Sequence, residues 1–162
     1  MKNIWAPWRM VYIGEVDSGK GCFFCRVLKA DCDEANLVVW RSRHTFCIMN
    51  RFPYNNGHLL IAPRRHEAHV EGLTHAEQCA LMKDTVRAQK VLAGVMSPQG
   101  FNWGLNVGRA GGAGVEDHLH MHIVPRWVGD TNFMPVFADV KVIPQALEEL
   151  YSLLRRQAAV TK

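Results

Sequence analysis

The sequence predicts an α+β domain: an antiparallel sheet carrying one long helix and a C-terminal helix. Three observations lead there. Short segments rich in β-branched and aromatic residues come in close pairs separated by turn residues. One long amphipathic stretch, about residues 75–93, separates two such groups. The 162 residues suit a single hydrophobic core, with little room for a second.

The elements follow in order. Residues 1–20 read as an N-terminal arm containing Trp5, Trp8 and Tyr12 and ending at the turn "DSGKG", so that the domain proper spans 21–162. "CFFCRVLKA" is a knuckle or turn leading into a short helix. "NLVVWRS" and "HTFCIMN" are paired strands with a turn near Ser42. "FPYNNG" is a turn by its Pro, Asn and Gly content, and "HLLIAP" is a third strand closed by Pro63. Thr74, followed three residues later by Glu77, is a capping box that opens the long helix. Its apolar face is expected from Ala80, Leu81, Val91 and Leu92, with Val86 and Ala88 between. "GFNWGLNVG" and "DHLHMHIVP" are two further strands, joined by the glycine-rich "GRAGGAG". A last helix follows Pro144, with Leu147, Leu150, Leu153 and Leu154 on one side.

Composition narrows the function. The chain is 48% hydrophobic and 21% charged, with a formal net charge of +4 spread along its length. That mild excess suits an anionic small molecule and is too diffuse to argue for nucleic acid. No apolar run reaches the roughly 20 residues of a membrane span. Pro7, Arg9 and Glu15 interrupt any signal-like stretch, which leads us to expect a cytoplasmic protein. Five cysteines, an odd number, point to thiols or metal ligands rather than a disulfide framework. Cys32, Cys47 and Cys79 read as ordinary thiols, with Cys47 and Cys79 expected in the core, and His75 as a surface residue.

The segment "HLHMHIVPRW" carries the chemistry. Side chains alternate along a strand, so His118, His120 and His122 share one face while Leu119, Met121 and Ile123 occupy the other. Three readings stand. The face is a polar surface that happens to be rich in histidine; it holds a metal, with help from elsewhere; or it does nucleophilic chemistry. A neutral imidazole attacks phosphorus competently and is available near its ordinary pKa of about 6.5. Separately, Cys22-x-x-Cys25 is half of a tetrahedral zinc site, a redox pair, or two core thiols. The loop "GRAGGAG" is either a flexible hairpin turn or a nest of backbone N–H groups for an anion. It is not a Walker A loop, because no Gly-Lys-Ser/Thr follows.

The run from His118 to Val124 resembles the His-φ-His-φ-His-φ-φ signature of the histidine triad superfamily of nucleotide hydrolases and transferases. "MNRFPYNNGHLLIAPRRH" and "LNVG…HLHMHIVPRW" are similar to other parts of that family's pattern, so that the resemblance covers about residues 22–127. The "WAPWRM" arm and the tail through "DTNFMP" more narrowly resemble the bacterial branch near diadenosine polyphosphate phosphorylases and hydrolases.

The resemblance implies roles. His120 would be the nucleophile that takes a nucleotidyl group, its other ring nitrogen held by a backbone carbonyl. His122 would contact the phosphate and the bridging oxygen. His58 would line the same pocket, Asn50 the ribose side, and Asn106 would contact phosphate. Gly112 and Gly114 stand in the loop where relatives carry Ala-Gly-Gln-Ser/Thr; here Gly114 and Val115 replace the polar pair. Zinc-containing relatives place two further ligands where this chain has His66 and His118, completing a structural zinc site with Cys22 and Cys25; His69 and His44 are the substitutes to consider. The implied activity is cleavage of dinucleoside polyphosphates such as diadenosine tetraphosphate through a nucleotidyl-histidine, with no organic cofactor, in a homodimer. An adenosine 5'-phosphoramidase and a non-catalytic nucleotide-binding sensor are the alternatives.

Overall fold

The computed structural model describes residues 21–30, 32–130 and 143–161. The proposed arm at 1–20 and most of the "DTNFMP" tail lie outside them. Among these residues, three α-helices and five strands follow as α1 (Phe23–Lys29), β1 (Val38–Arg41), β2 (Thr45–Met49), β3 (Leu59–Pro63), α2 (His75–Met96), β4 (Gly100–Leu105), β5 (Met121–Arg126) and α3 (Leu147–Val160). The sheet is antiparallel throughout, in the order β1-β2-β3-β5-β4. This is the α+β architecture expected from the sequence.

Both faces of the central strands are covered, which is why every residue of β2 and β3 is buried. One face meets α2 and α3 through Val39, Cys47, Met49, Leu59, Ile61, Leu92, Ile123 and Leu150. The other meets α1 through Phe24, Val27, Phe46, Ile48 and Leu60. Each fully buried aliphatic or aromatic side chain of this kind contributes about 1.5–3 kcal/mol. Opposed residues of an antiparallel pair share a face, and His122 pairs with Leu60. His122 therefore stands on the α1 face, and Ile123 on the face of the two long helices.

The capping box forms. Thr74 Oγ1 accepts from Glu77 N–H, and Glu77 Oε2 accepts from Thr74 N–H. Arg65 grips the same carboxylate through two nitrogens, at 3.0 and 2.9 Å. The guanidinium, with the Thr74 amide, holds the Glu77 carboxyl down to about 2. This contact ties the turn after β3, which carries His66, to the start of α2. On α3, Tyr151 rather than Leu153 faces the core, and its hydroxyl donates to the Val38 carbonyl. Arg87 of α2 stacks over Trp40 and donates to the last carbonyls of α3, at Ala158 and Thr161.

Three further expectations are corrected. The fifth strand begins at Met121, so His118 and His120 precede it. Its neighbours explain this: the pairs Ile61↔Met121 and Leu105↔Met121 are the last in both ladders. Beyond them Leu119 N–H donates to the Glu67 carbonyl, and the Pro63 carbonyl is taken by the His118 ring. Cys79 is exposed on α2, and Val86 likewise faces outward. The helical period places Leu81, Thr85, Ala88 and Leu92 inward instead.

Candidate active site and metal cluster

Four residues from three separate segments converge beside the first histidine. Cys22 precedes α1 and Cys25 lies in its first turn. His66 comes from the turn that Arg65 anchors, and His118 from the approach to β5. One ligand atom from each lies within 4.8 Å of all the others. The His118 Nδ1 is 3.2 Å from Cys22 Sγ and 3.7 Å from Cys25 Sγ, and Cys25 Sγ is 3.3 Å from His66 Nδ1.

Those separations suit a metal tetrahedron. Bonds of about 2.0–2.3 Å to zinc imply edges of roughly 3.3–3.8 Å. The tautomers agree. Pro63 offers only a carbonyl to His118 Nε2 at 2.9 Å, so that nitrogen carries the proton and the Nδ1 lone pair faces the thiols. His66 turns its other nitrogen toward Asp117, 3.7 Å away. Burial pushes the Cys22 thiol up to about 11, against the Cys25 backbone N–H, which lowers it. A dication would reverse that preference. His69 and His44 are not part of the cluster.

The next two histidines hold opposite ring states. His120 is buried, and its Nδ1–H donates to the His118 carbonyl at 2.8 Å. Its Nε2 therefore carries a lone pair. Burial lowers its pKa and keeps the ring neutral. His122 is wired the other way, through a chain of fixed donors. Phe52 N–H donates to Asn50 Oδ1, which leaves the Asn50 amide N–H to donate to His58 Nδ1 at 3.2 Å. Tyr54 N–H donates to that same nitrogen at 3.1 Å. His58 Nε2–H is then the donor to His122 Nδ1 at 2.9 Å. His122 must carry its proton on Nε2, a buried atom with no hydrogen-bond partner among the described residues. Burial, then the neighbouring His120, lower its pKa to about 4.

Glycine makes the approach of His58 possible. Gly57 has φ +80°, and a Cβ there would stand 2.6 Å from Met96 Sδ. Two aromatic rings flank the histidines. Phe24 touches the rings of His118 and His120, with centroids 5.0 and 4.9 Å away. Tyr54 lies parallel to His122 at 5.7 Å and tilts over His58 at 4.7 Å. Sequence reasoning passed over both. Tyr54 sat in a segment read only as a turn, and Phe24 in a helix too short to show a periodicity.

The remaining candidates are placed less centrally. Asn50 lies beside His58, with its amide committed to His58 and Phe52. Asn106 donates to the Gly112 carbonyl at 3.3 Å and so braces the loop. The N–H groups of Gly111, Gly112 and Ala113 bond to the Gly108 and Arg109 carbonyls. These three are committed inside the loop, so an anion nest would rest on Gly114 and its neighbours.

Known proteins share this sequence pattern and this fold. A family model described as HIT domain matches residues 33–128. An AP-4-A phosphorylase of Mycobacterium tuberculosis is 37% identical over 98% of this chain and 85% of its own. An adenosine 5'-monophosphoramidase of Schizosaccharomyces pombe is 30% identical over 65% of this chain and 74% of its own. Among solved structures, a Zn-bound histidine triad family protein of Mycobacterium smegmatis superposes with a TM-score of 0.70 at 23% identity, covering 86% of this chain and 94% of that one.

Proposed function

The chain belongs to the HIT domain family, and we propose that it cleaves dinucleoside polyphosphates such as diadenosine tetraphosphate through a nucleotidyl-histidine intermediate. The observation that carries this reading is the pair of opposed tautomers. His120 presents a lone pair and His122 an N–H, from rings 4.9 Å apart. A phosphate seated across the edges of both rings would meet a nucleophile and a hydrogen-bond donor together.

In the first step His120 Nε2 bonds to the α-phosphorus, and the phosphorus–oxygen bond to the other nucleotide breaks. The electron pair leaves on that oxygen, which the His122 N–H stabilises. The new imidazolium keeps its Nδ1–H on the His118 carbonyl, which offsets part of its charge. In the second step water or inorganic phosphate attacks, the phosphorus–nitrogen bond breaks, and the nucleophile's proton passes to solvent. A polyphosphate oxygen departs readily as an anion, so a neutral His122 suffices. An amine leaving group needs a proton, which a ring held down to about 4 supplies poorly. That favours the pyrophosphate bond over the phosphoramidate bond. Asn50 and His58 would act by holding the tautomer of His122.

Cys22, Cys25, His66 and His118 would hold a zinc ion. With four protein ligands it supplies folding energy and fixes the approach to His120 rather than activating water. The exposed edge of β4, with Trp103 and Val107, supports a homodimer. Five cysteines, all free, fit a cytoplasmic setting. No helix among the described residues is long and apolar enough to cross a membrane.

The test is a product analysis. The protein is incubated with diadenosine tetraphosphate, with and without inorganic phosphate, and separately with an adenosine phosphoramidate. AMP plus ATP would identify hydrolysis, and ADP plus ATP in the presence of phosphate would identify phosphorolysis. Turnover of the phosphoramidate alone would overturn the proposal.

A further inference from the structure

Tyr54 is unusual among the residues around the histidines because its ring is both fixed and open. Its backbone N–H holds His58, and its ring lies within 5° of parallel to His122. Yet the residue is 53% exposed, and among the described residues its hydroxyl has no hydrogen-bond partner. A half-exposed tyrosine with one face already covered offers its other face and rim to whatever enters the site.

The ring contacts set its position relative to the chemistry. His120 touches Phe24 and His122; His122 touches His120, His58 and Tyr54. Tyr54 thus meets His122 and His58, and among the described residues no ring contact joins it to His120. In displacement at phosphorus the attacking and leaving atoms stand roughly in line, so the group beyond His122 is the one that departs. We infer that Tyr54 is a specificity-determining residue, an aromatic platform on which the base of the departing nucleotide stacks. The nucleotide retained on His120 does not reach it. This inference rests on the proposed function and goes beyond it by saying which half of the substrate is read, and by what.

Two substrates separate the halves. Diadenosine tetraphosphate departs as a nucleotide with a base, whereas adenosine 5'-tetraphosphate departs as inorganic triphosphate. Tyr54→Ala is expected to lower kcat/KM for the first by about 5- to 100-fold, the range of one aromatic–base stack. Its kcat/KM for the second should fall at least about fivefold less, because that leaving group carries no base to stack. Tyr54→Phe should retain the wild-type preference, because stacking needs the ring and not the hydroxyl. Equal losses on both substrates would mean that the ring only positions His122, and would overturn the inference. An equal fall in Tyr54→Phe and Tyr54→Ala would assign the effect to the hydroxyl and overturn it too.

Binding keeps the two readings distinguishable. In a His120→Ala background, Tyr54→Ala should weaken diadenosine tetraphosphate and leave AMP unchanged by calorimetry. Wild-type protein that cleaves neither substrate would refute the proposed function, and this titration would then decide the inference alone. Equal affinities with and without Tyr54, or no binding of either nucleotide, would overturn it.

Discussion

At His118 both ring nitrogens have partners inside the protein; at His122 one has none among the described residues. The two residues are four positions apart in one motif, and both are neutral imidazoles shielded from water. The difference comes from segments distant in sequence. His118 meets Cys22 and Cys25 across more than ninety residues, and Pro63 across fifty-five. His122 meets His58, itself held by Asn50 and the Tyr54 backbone. One end of the run is closed on a Cys/His cluster, and the other is wired to a second histidine. Between them His120 borrows from both, since its tautomer depends on the His118 carbonyl and its ring borders His122.

The comparison breaks most visibly at the closed end. Metal analysis of the purified protein is expected to show about one zinc per chain, and Cys22→Ser should lose most of it. Chemical denaturation of that variant should show a loss of at least about 3 kcal/mol, a fraction of the roughly 10–16 kcal/mol a structural zinc supplies. Metal-free protein of native stability would remove the distinction between the two ends.

At the wired end the effect should appear in rate with the fold retained. His58→Leu takes away the donor that sets His122, and kcat is expected to fall about 10- to 100-fold, as when an orienting partner is removed from a functional histidine. Asn50→Ala should cost less, because Tyr54 N–H still reaches the same nitrogen. Steady-state kinetics beside thermal midpoints checks both. A fully active His58→Leu would dissolve the relay.

The smallest expected effect is on stability against pH. Burial depresses the folded-state pKa of His122 from 6.5 to about 4. Between those values the unfolded chain binds a proton that the folded chain does not, so stability falls as pH falls through this window. Glu77, held down to about 2 from 4.5, extends the loss to lower pH as its grip on Arg65 is titrated away. Unfolding free energies that stay flat across the upper window would contradict a neutral, buried His122.

What could be read from the sequence follows the same division. The Thr74–Glu77 box, the first hairpin and the Cys22-x-x-Cys25 pair are local patterns, and the structure forms all three elements. The alternation of Leu119, Met121 and Ile123 toward the helices also holds, although the strand itself begins only at Met121. The resemblance suggested His66 and His118 as partners of the cysteines; spacing alone did not, since the turn that brings His66 depends on Arg65 gripping Glu77. Tyr54 and Phe24 were invisible because a ring's value here lies in what it faces. Cys79 was misread because an apolar residue type on an amphipathic helix says nothing of its side without the neighbours that fix the phase.

The central claim is that His120 carries the substrate covalently, with its tautomer set by the His118 carbonyl and the leaving oxygen met by the His122 N–H. The direct measurement is mass spectrometry of protein quenched during turnover of diadenosine tetraphosphate. The account predicts one adenylate, acid-labile, on the peptide containing His120, and none on a folded His120→Ala variant. Turnover without any adduct, or an adduct on His122 or His58, would contradict it.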